Sequence, residues 1–551
     1  MMTSDKDVAF PVLSESDLKA LTSRGRVRNV RAGEMLWEKG DRNLCWYVIL
    51  EGAVEIIGSQ KGVAQTVVVH HAGQFTGDVD VLSGRAVLVA GRVIEDAKIL
   101  ELSTSELRRA VGELPDLGEI ILKAFLIRRT LLVGEGMEAV RIIGSRFSPD
   151  AHRLRDFSTR NAIPIQWLDL ETDPEADALL RQFNVPASET PIVLGSDGVM
   201  RRNPSNADFA RCMGLQAMLE ADHVFDLVVV GAGPAGLAAS VYAASEGLDV
   251  LTTDSLAAGG QAGTSAKIEN YLGFPTGISG AELTKNALLQ AQRFGARITV
   301  QSQVRSLGLD GGERVVTLAD GTRLRTRCVL VASGVEYRKL DVPRFADFEA
   351  AGIYYAATKM EADLCAGEEV VVVGGGNSAG QAAVSLAKTA KQVHLVCRGE
   401  SLESKMSRYL VDRLKSMPNV TIRARTRVAA LEGNGHLDNM QIESSDGQSL
   451  QIQTSSLFLF IGADAKTAWL RGCVDLDPKG FVLTGTALPT STPETDRWRA
   501  AGRTPFLLET SLPGVFAAGD VRSGSAKRVA AAVGEGSMAV SFVHAYIARP
   551  V

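Results

Sequence analysis

Residues 224–240 read VFDLVVVGAGPAGLAAS, a β-branched run that enters a glycine-rich turn and leaves it as an alanine-rich helix. The glycines of Gly231-Ala-Gly233-Pro234-Ala235-Gly236 have separate roles. The first permits a tight turn, the second lets a pyrophosphate approach the backbone, and the third lets helix and strand pack. The helix start offers free N–H groups and positive potential to phosphates. The next strand, DVLTTD (249–254), ends in Asp254, where a carboxylate would hold a ribose, with Ser255 beside it.

The chain repeats this pattern once. VVVVGGGNSAG (370–380) is again a β-branched run flowing into a glycine turn and an alanine-rich helix. Two such units imply two mononucleotide-binding sheets. In the second, Gly374, Gly376, Asn377, Ser378 and Ala379 would carry the nucleotide, Ala379 taking the third small position. The strand after it, QVHLVCRG (392–399), ends in Arg398 rather than an acid. An arginine there suits a 2′-phosphate, so the turn is expected to take NADPH in preference to NADH. Lys405 and Arg408 stand close enough downstream to supplement it.

A chain of 551 residues is too long for one ordinary core and implies three or four domains. Its 45% apolar and 22% charged residues are those of a globular protein, and the net charge of −5 comes without a long basic run. Nothing points to nucleic acid or an anionic membrane as a partner. The opening MMTSDKDVAFPVL lacks the apolar core of a secretory signal. The apolar stretches 224–244 and 370–390 each contain a glycine turn, which fits a buried strand entering a helix, not a membrane span. A cytoplasmic location is expected. The six cysteines, Cys45, Cys212, Cys328, Cys365, Cys397 and Cys473, include no C-x-x-C pair and no zinc spacing. Six reduced thiols and no metal are expected.

Upstream of the dinucleotide units the texture changes. Residues 1–110 read as short strands punctuated by Gly33, Gly40, Gly52, Gly73, Gly77 and Gly84, the pattern of a small barrel or jelly roll. DLGEIILKAFLIRRTLL (116–132) suits a packed connecting helix. Residues 138–218 alternate strand and helix patterns, as in a small α/β domain.

Four blocks in order resemble the low-molecular-weight thioredoxin reductases over roughly 224–551: GGQA (259–262), IENYLGFPTGISGAEL (268–283), VLVASGVEYRKLDVP (329–343) and TSLPGVFAAGD (510–520). The resemblance implies FAD at the first turn, with Gly260, Gln261 and Asn270 by the flavin, and a homodimer. It implies that Gly519 and Asp520 meet a ribityl hydroxyl. The helix beyond, with Arg528, Val529 and Ala530 near its start, would aim its positive end at the flavin's pyrimidine side, favouring the anionic reduced ring. Of that family's His-Arg-Arg cluster for the 2′-phosphate, Cys397-Arg398-Gly399 keeps one member. The family carries a redox-active Cys-Ala-Thr-Cys ahead of the second turn. Here GIYYAATKMEADLCAGEEVVVVGGG (352–376) puts Ala356 and Lys359 at the two cysteine positions, and Cys365 has no second thiol at usable spacing. The usual dithiol relay cannot run.

Residues 138–218 resemble a thioredoxin or glutaredoxin fold in which Ser145-Arg-Phe-Ser148 replaces the C-x-x-C and Thr190-Pro191 stands where the active-site cis-proline does. Binding or docking is the use this leaves. RAGEMLWEKGD (31–41), YVILEGAVEI (47–56) and FTGDVDVLSGRAV (75–87) resemble the cyclic-nucleotide-binding barrel. That resemblance implies a phosphate cradle at Gly77, Asp78, Val79, Arg85 and Ala86, with Arg85 on the cyclic phosphate, Asp78 on the ribose, and cAMP or cGMP as a regulatory ligand.

The expected fold is therefore multidomain: a cyclic-nucleotide-binding β-barrel with its connecting helix (1–135), a thioredoxin-like α/β domain (136–220), an FAD domain in two parts (222–343 and 466–551) and an NAD(P) domain (344–465), the last two Rossmann-like. The expected function is NADPH oxidation through FAD, with electrons passed to an unknown acceptor such as a small redox protein or quinone. The chain itself supplies no catalytic side chain, because the chemistry is the flavin's. Three alternatives stay open: a redox- and nucleotide-sensing signalling protein, a ferredoxin–NADP reductase-like enzyme, and thioredoxin-disulfide reduction through external thiols. The ferredoxin reductases usually add a tail over the flavin, whereas this sequence ends at HAYIARPV, soon after its last expected helix.

Overall fold

The computed structural model describes residues 7–548 except 43, 61–62, 84, 135–139, 196–198, 218, 220–221, 266, 350–351, 356, 358, 490–497 and 499–501. The N-terminal unit is an antiparallel sheet in the order Arg26–Val30, Ala90–Leu102, Trp46–Gln60, Val63–His71, with Met35–Trp37 also on Ala90–Leu102. Its interior is packed by Trp37 stacked on Tyr47, with Val54, Ile56, Val93 and Ile99 around them. The long helix Pro115–Gly134 covers one side and sends Phe125 against Phe75 in a second core.

In the middle unit, Val140–Gly144 pairs in parallel with Ile165–Asp169 and antiparallel with Ile192–Leu194, which pairs antiparallel with Met200–Arg202. Helices Pro149–Arg160, Pro174–Gln182 and Asn206–Cys212 complete it, and the Thr190–Pro191 peptide is cis. Its core continues into Leu88 of the barrel and Val300 further along the chain, so these units share apolar packing.

Val224–Val230 is flanked in parallel by Val250–Thr253 and Arg323–Val331 and is apolar enough for a strand covered on both faces. Val515–Ala517 joins the same sheet beside Val329–Val331, which brings the distant C-terminal segment home. Helices Pro234–Ser245 and Val529–Ile547 pack together over it, their crossing allowed by Gly536, whose added Cβ would stand 2.1 Å from the Ala235 carbonyl. The second dinucleotide sheet is parallel: Ile353–Tyr354, Leu457–Leu459, Glu369–Val373, Gln392–Val396, Val420–Arg423. An antiparallel meander of Thr426–Gly433, Leu437–Ser444 and Ser449–Gln453 follows. The chain passes between the two sheets through a ribbon in which Val335–Tyr337 pairs antiparallel with Ala463–Ala465. Among the described residues no helix is long and apolar enough to cross a membrane.

Candidate dinucleotide sites

Each glycine of the first turn is fixed by a different neighbour. Gly231 lies at φ +107°, and a Cβ there would sit 2.3 Å from the Ala332 carbonyl. At Gly236 a Cβ would come within 1.8 Å of the Gly231 carbonyl, so only glycine lets the helix begin there. Gly233 is different, because its Cβ would meet only the Gly260 Cα, 3.9 Å away. The chain therefore does not need glycine at Gly233 for its own packing, and the open space there fits a ligand approaching the backbone. Gly260, at φ +54°, packs its Cα against that same turn.

Helix N-termini give a second test of fit. The helices beginning at Glu15, Thr104, Pro149, Asn206 and Gly280 are capped by the side chains of Ser14, Ser103, Ser148, Ser205 and Ser279. The helices Pro234–Ser245, Asn377–Leu386 and Val529–Ile547 follow Gly233, Gly376 and Arg528 and have no side-chain cap. Their first-turn N–H groups need acceptors, which a dinucleotide could supply, although Pro174–Gln182 and Arg408–Ser416 also lack a side-chain cap, so the open N-termini fit the expected sites without singling them out.

Asp254 Oδ2 accepts the Ala232 N–H at 2.9 Å, while Oδ1 accepts from Leu256 at 2.9 Å and Ala257 at 3.1 Å. It braces the turn as much as it faces it. Burial pushes its carboxyl above the ordinary range against the pull of those amides. Ser255 adjoins it on an exposed step. Gln261 Nε2 donates to the Val335 carbonyl at 2.7 Å, tying the GGQA loop to the connecting ribbon, while Asn270 is exposed on the loop where Tyr271 stacks on Phe274. Gly519 closes against Ala235, and its N–H donates to Glu535 Oε2 at 2.7 Å. Asp520 is held above its usual range by burial, with Lys527 opposing, and the Lys527 ammonium donates to its backbone carbonyl. Arg528, Val529 and Ala530 open the uncapped C-terminal helix, as the sequence implied.

At the second turn Gly374 closes against the Phe460 carbonyl and Ala379, whereas Gly376 faces open space, its Cβ no nearer than 4.0 Å to anything. Asn377 Oδ1 accepts the Ser407 N–H at 2.6 Å, fixing the loop that carries Lys405, and Ser378 is exposed at the helix start. Arg398 and Lys405 are both exposed, and Arg408 pairs with Asp412 at 3.8 Å. Sequence reasoning missed Arg425: its N–H donates to the Gly399 carbonyl at 2.9 Å and its guanidinium pairs with Glu400 at 3.0 Å, beside Arg398. Nothing in the local sequence around Arg398 signals a residue from the turn after the next strand.

Ala356 lies outside the described residues, as does the side chain of Lys359. Cys365 is fully buried, and burial, then the Glu368 carboxylate, pushes its thiol up to about 12. In the middle unit Ser145 Oγ donates to Glu171 at 2.6 Å and Phe147 meets the His436 ring of the meander at 4.9 Å, so the segment aligned with a C-x-x-C is packed against the second dinucleotide domain.

The barrel's phosphate segment has an internal counter-ion that sequence reasoning missed. Arg129 stands 2.6 Å from Asp80 and 3.6 Å from Asp78, and burial plus the Asp80 carboxylate push Asp78 up to about 6. Gly77 is at φ +90° and its carbonyl accepts from Arg128 at 2.9 Å. Val79 opens the short helix Val79–Ser83, and Ala86 is buried beside Arg85, whose Nη1 donates to the Asn161 carbonyl of the middle unit at 3.3 Å.

Comparison with known proteins accords with this geometry. Residues 225–536 match the family described as pyridine nucleotide-disulphide oxidoreductase, and residues 27–113 match the cyclic nucleotide-binding domain. A thioredoxin reductase of Streptomyces clavuligerus is 32% identical over 327 residues, covering 59% of this chain and 94% of that protein. One from Mycolicibacterium smegmatis is 31% identical over 317 residues, with 57% and 94% covered. The crystal structure of T. acidophilum thioredoxin reductase matches at a TM-score of 0.52 and 29% identity, covering 59% of this chain and 99% of that one.

Proposed function

The chain belongs to the pyridine nucleotide-disulphide oxidoreductase family, as an FAD-dependent NAD(P)H oxidoreductase of thioredoxin reductase type, and from that premise we propose that it oxidises NADPH and delivers the electrons to an acceptor outside the chain. The observation that carries this reading is the lack of a usable dithiol. Ala356 and Lys359 occupy the aligned cysteine positions, and Cys365 is buried with its thiol pushed up to about 12. A thiol in that state is a poor nucleophile.

Bound FAD supplies hydride acceptance from the nicotinamide and onward electron transfer. The chain's residues bind and orient. Gly233, Ala235 and Gly236 present backbone N–H groups to the pyrophosphate, Gly231 and Pro234 shape the turn, the Gly231 N–H being donated to the Thr253 carbonyl, and Asp254, already holding the turn, has lone pairs left for a ribose hydroxyl. Gly260, Gln261 and Asn270 border the ring, and Asp520 takes a ribityl hydroxyl. The open end of Val529–Ile547 puts positive potential at the pyrimidine side. Arg398, with Lys405, selects the 2′-phosphate.

The middle unit serves as a thioredoxin-like docking module. Its strand order supports that reading. The barrel takes cAMP or cGMP at Gly77, Asp78, Val79, Arg85 and Ala86. Turnover with NADPH and a quinone or ferricyanide, measured beside turnover with thioredoxin, tests the proposal. Brisk reduction of the dye with negligible reduction of thioredoxin is expected, and comparable rates would refute it.

A further inference from the structure

Two small adjoining cavities of about 30 and 10 Å³ share Arg85 and Leu215 and are walled by three units of the chain: Arg129 of the barrel, Ile163 of the middle unit, Leu288 and Val300 of the flavin domain. The barrel's phosphate arginine thus faces a junction. A short series of hydrogen bonds runs from it to the flavin turn. Arg85 Nη1 donates to the Asn161 carbonyl at 3.3 Å. Asn161 follows the helix Pro149–Arg160, is 5% exposed, and its Nδ2 donates to Phe157 at 2.9 Å and to the Leu256 carbonyl at 3.3 Å. The Leu256 N–H donates to Asp254 Oδ1, and Asp254 Oδ2 accepts from Ala232 inside the glycine turn, both at 2.9 Å.

We propose that Asn161 couples the two nucleotide sites, so that a cyclic nucleotide taken at Arg85 loosens the flavin turn and speeds FAD release. This rests on the reading that the barrel takes a cyclic nucleotide. The exchange is chemically lopsided. The Asp80 and Asp78 carboxylates also draw the Arg85 guanidinium, but its contact with Asn161 is to a neutral carbonyl at the long end of the hydrogen-bond range, a weaker acceptor than a phosphate monoanion. The guanidinium moves to the phosphate, and the Asn161 carbonyl loses the contact that seats it at the junction. The amide of the same residue then holds Leu256 less firmly, and Leu256 is one of the groups that orient Asp254 under the turn. Asn161 is a positioning residue, three hydrogen bonds from the turn and one from the arginine. Reciprocity requires that bound FAD weaken nucleotide binding by the factor by which the nucleotide weakens FAD affinity.

The test uses the FAD-loaded full chain. Calorimetry with cAMP and cGMP measures binding, and the rise in flavin fluorescence on dilution measures FAD release. Wild type is expected to bind one of them and release FAD about 5-fold faster or more when saturated. Asn161→Ala keeps the backbone carbonyl but loses the amide, so it should bind nucleotide while its FAD release no longer responds. Arg85→Ala should lose binding. Hydrogen exchange at the Leu256 and Ala257 amides in wild type, faster with nucleotide, supplies a readout that needs no variant. Absence of binding by either nucleotide overturns both readings. Binding with unchanged FAD release and exchange, or a response that survives in Asn161→Ala, overturns the coupling alone.

Discussion

At Arg398 an exposed guanidinium stands just past the strand Gln392–Val396, with Arg425 drawn toward the same turn by Glu400. Losing a charge-assisted phosphate contact costs about 1.5–3 kcal/mol, so Arg398→Ala should raise KM for NADPH roughly 10- to 150-fold and leave that for NADH nearly unchanged. Equal effects on both cofactors would remove the phosphate role. Asp78 offers a pH test. Its carboxyl is raised from 3.8 to about 6 by burial and by Asp80. A raised acid binds its proton more tightly when folded, so its contribution is fully present below about pH 4 and is lost as pH rises through about 6. Asp78→Asn carries a neutral amide throughout. The variant should therefore gain thermal stability relative to wild type between pH 4 and pH 7, by an amount of order 2 kcal/mol, and a stability gap that ignores pH would contradict the assignment. The place of Arg398 just past the strand Gln392–Val396 was legible, because the run and its end are contiguous in the sequence. The hold of Arg129 on Asp78 was not, since it depends on how the helix Pro115–Gly134 lies across the barrel.

Among the elements, the glycine turn separates folding from binding. A Cβ at Gly236 collides with the Gly231 carbonyl, whereas one at Gly233 points into space. Gly236→Ala should lower stability by about 1–3 kcal/mol or prevent folding. Gly233→Val should melt near wild type yet purify with less flavin, and normal flavin content in that variant would place the pyrophosphate elsewhere. The turns, their strands and the uncapped helices that follow were readable because each glycine sits at a fixed offset from a β-branched run. The joints between units were not. His152 meets Tyr354 of the second dinucleotide domain at 5.5 Å, and Asn161 at the other end of the same helix reaches Leu256 of the flavin domain. That bridge depends on contacts between residues far apart in the chain, which no local pattern encodes. Phe147 against His436 is a joint of the same kind, 4.9 Å apart in space and nearly 300 positions apart in sequence.

For the whole molecule the sequence foretold a cyclic nucleotide-binding domain ahead of a pyridine nucleotide-disulphide oxidoreductase domain, because both are written in contiguous motifs. How the barrel, middle unit and flavin domain share one apolar junction through Leu88 and Val300 emerged only in three dimensions. The same burial that builds such cores removes Cys365 and Cys328 from chemistry, each thiol pushed up to about 12. Cys365→Ser should leave reduction of a quinone or ferricyanide unchanged, and a marked loss would reveal a redox thiol. With FAD proposed as the redox centre that carries the electrons, an anaerobic dithionite titration of the FAD-loaded protein counts the electrons the chain accepts. Full bleaching of the flavin by two electrons per FAD is the result this account requires. Uptake of four electrons per FAD would mean that a disulfide is reduced alongside the flavin, and the account would be wrong.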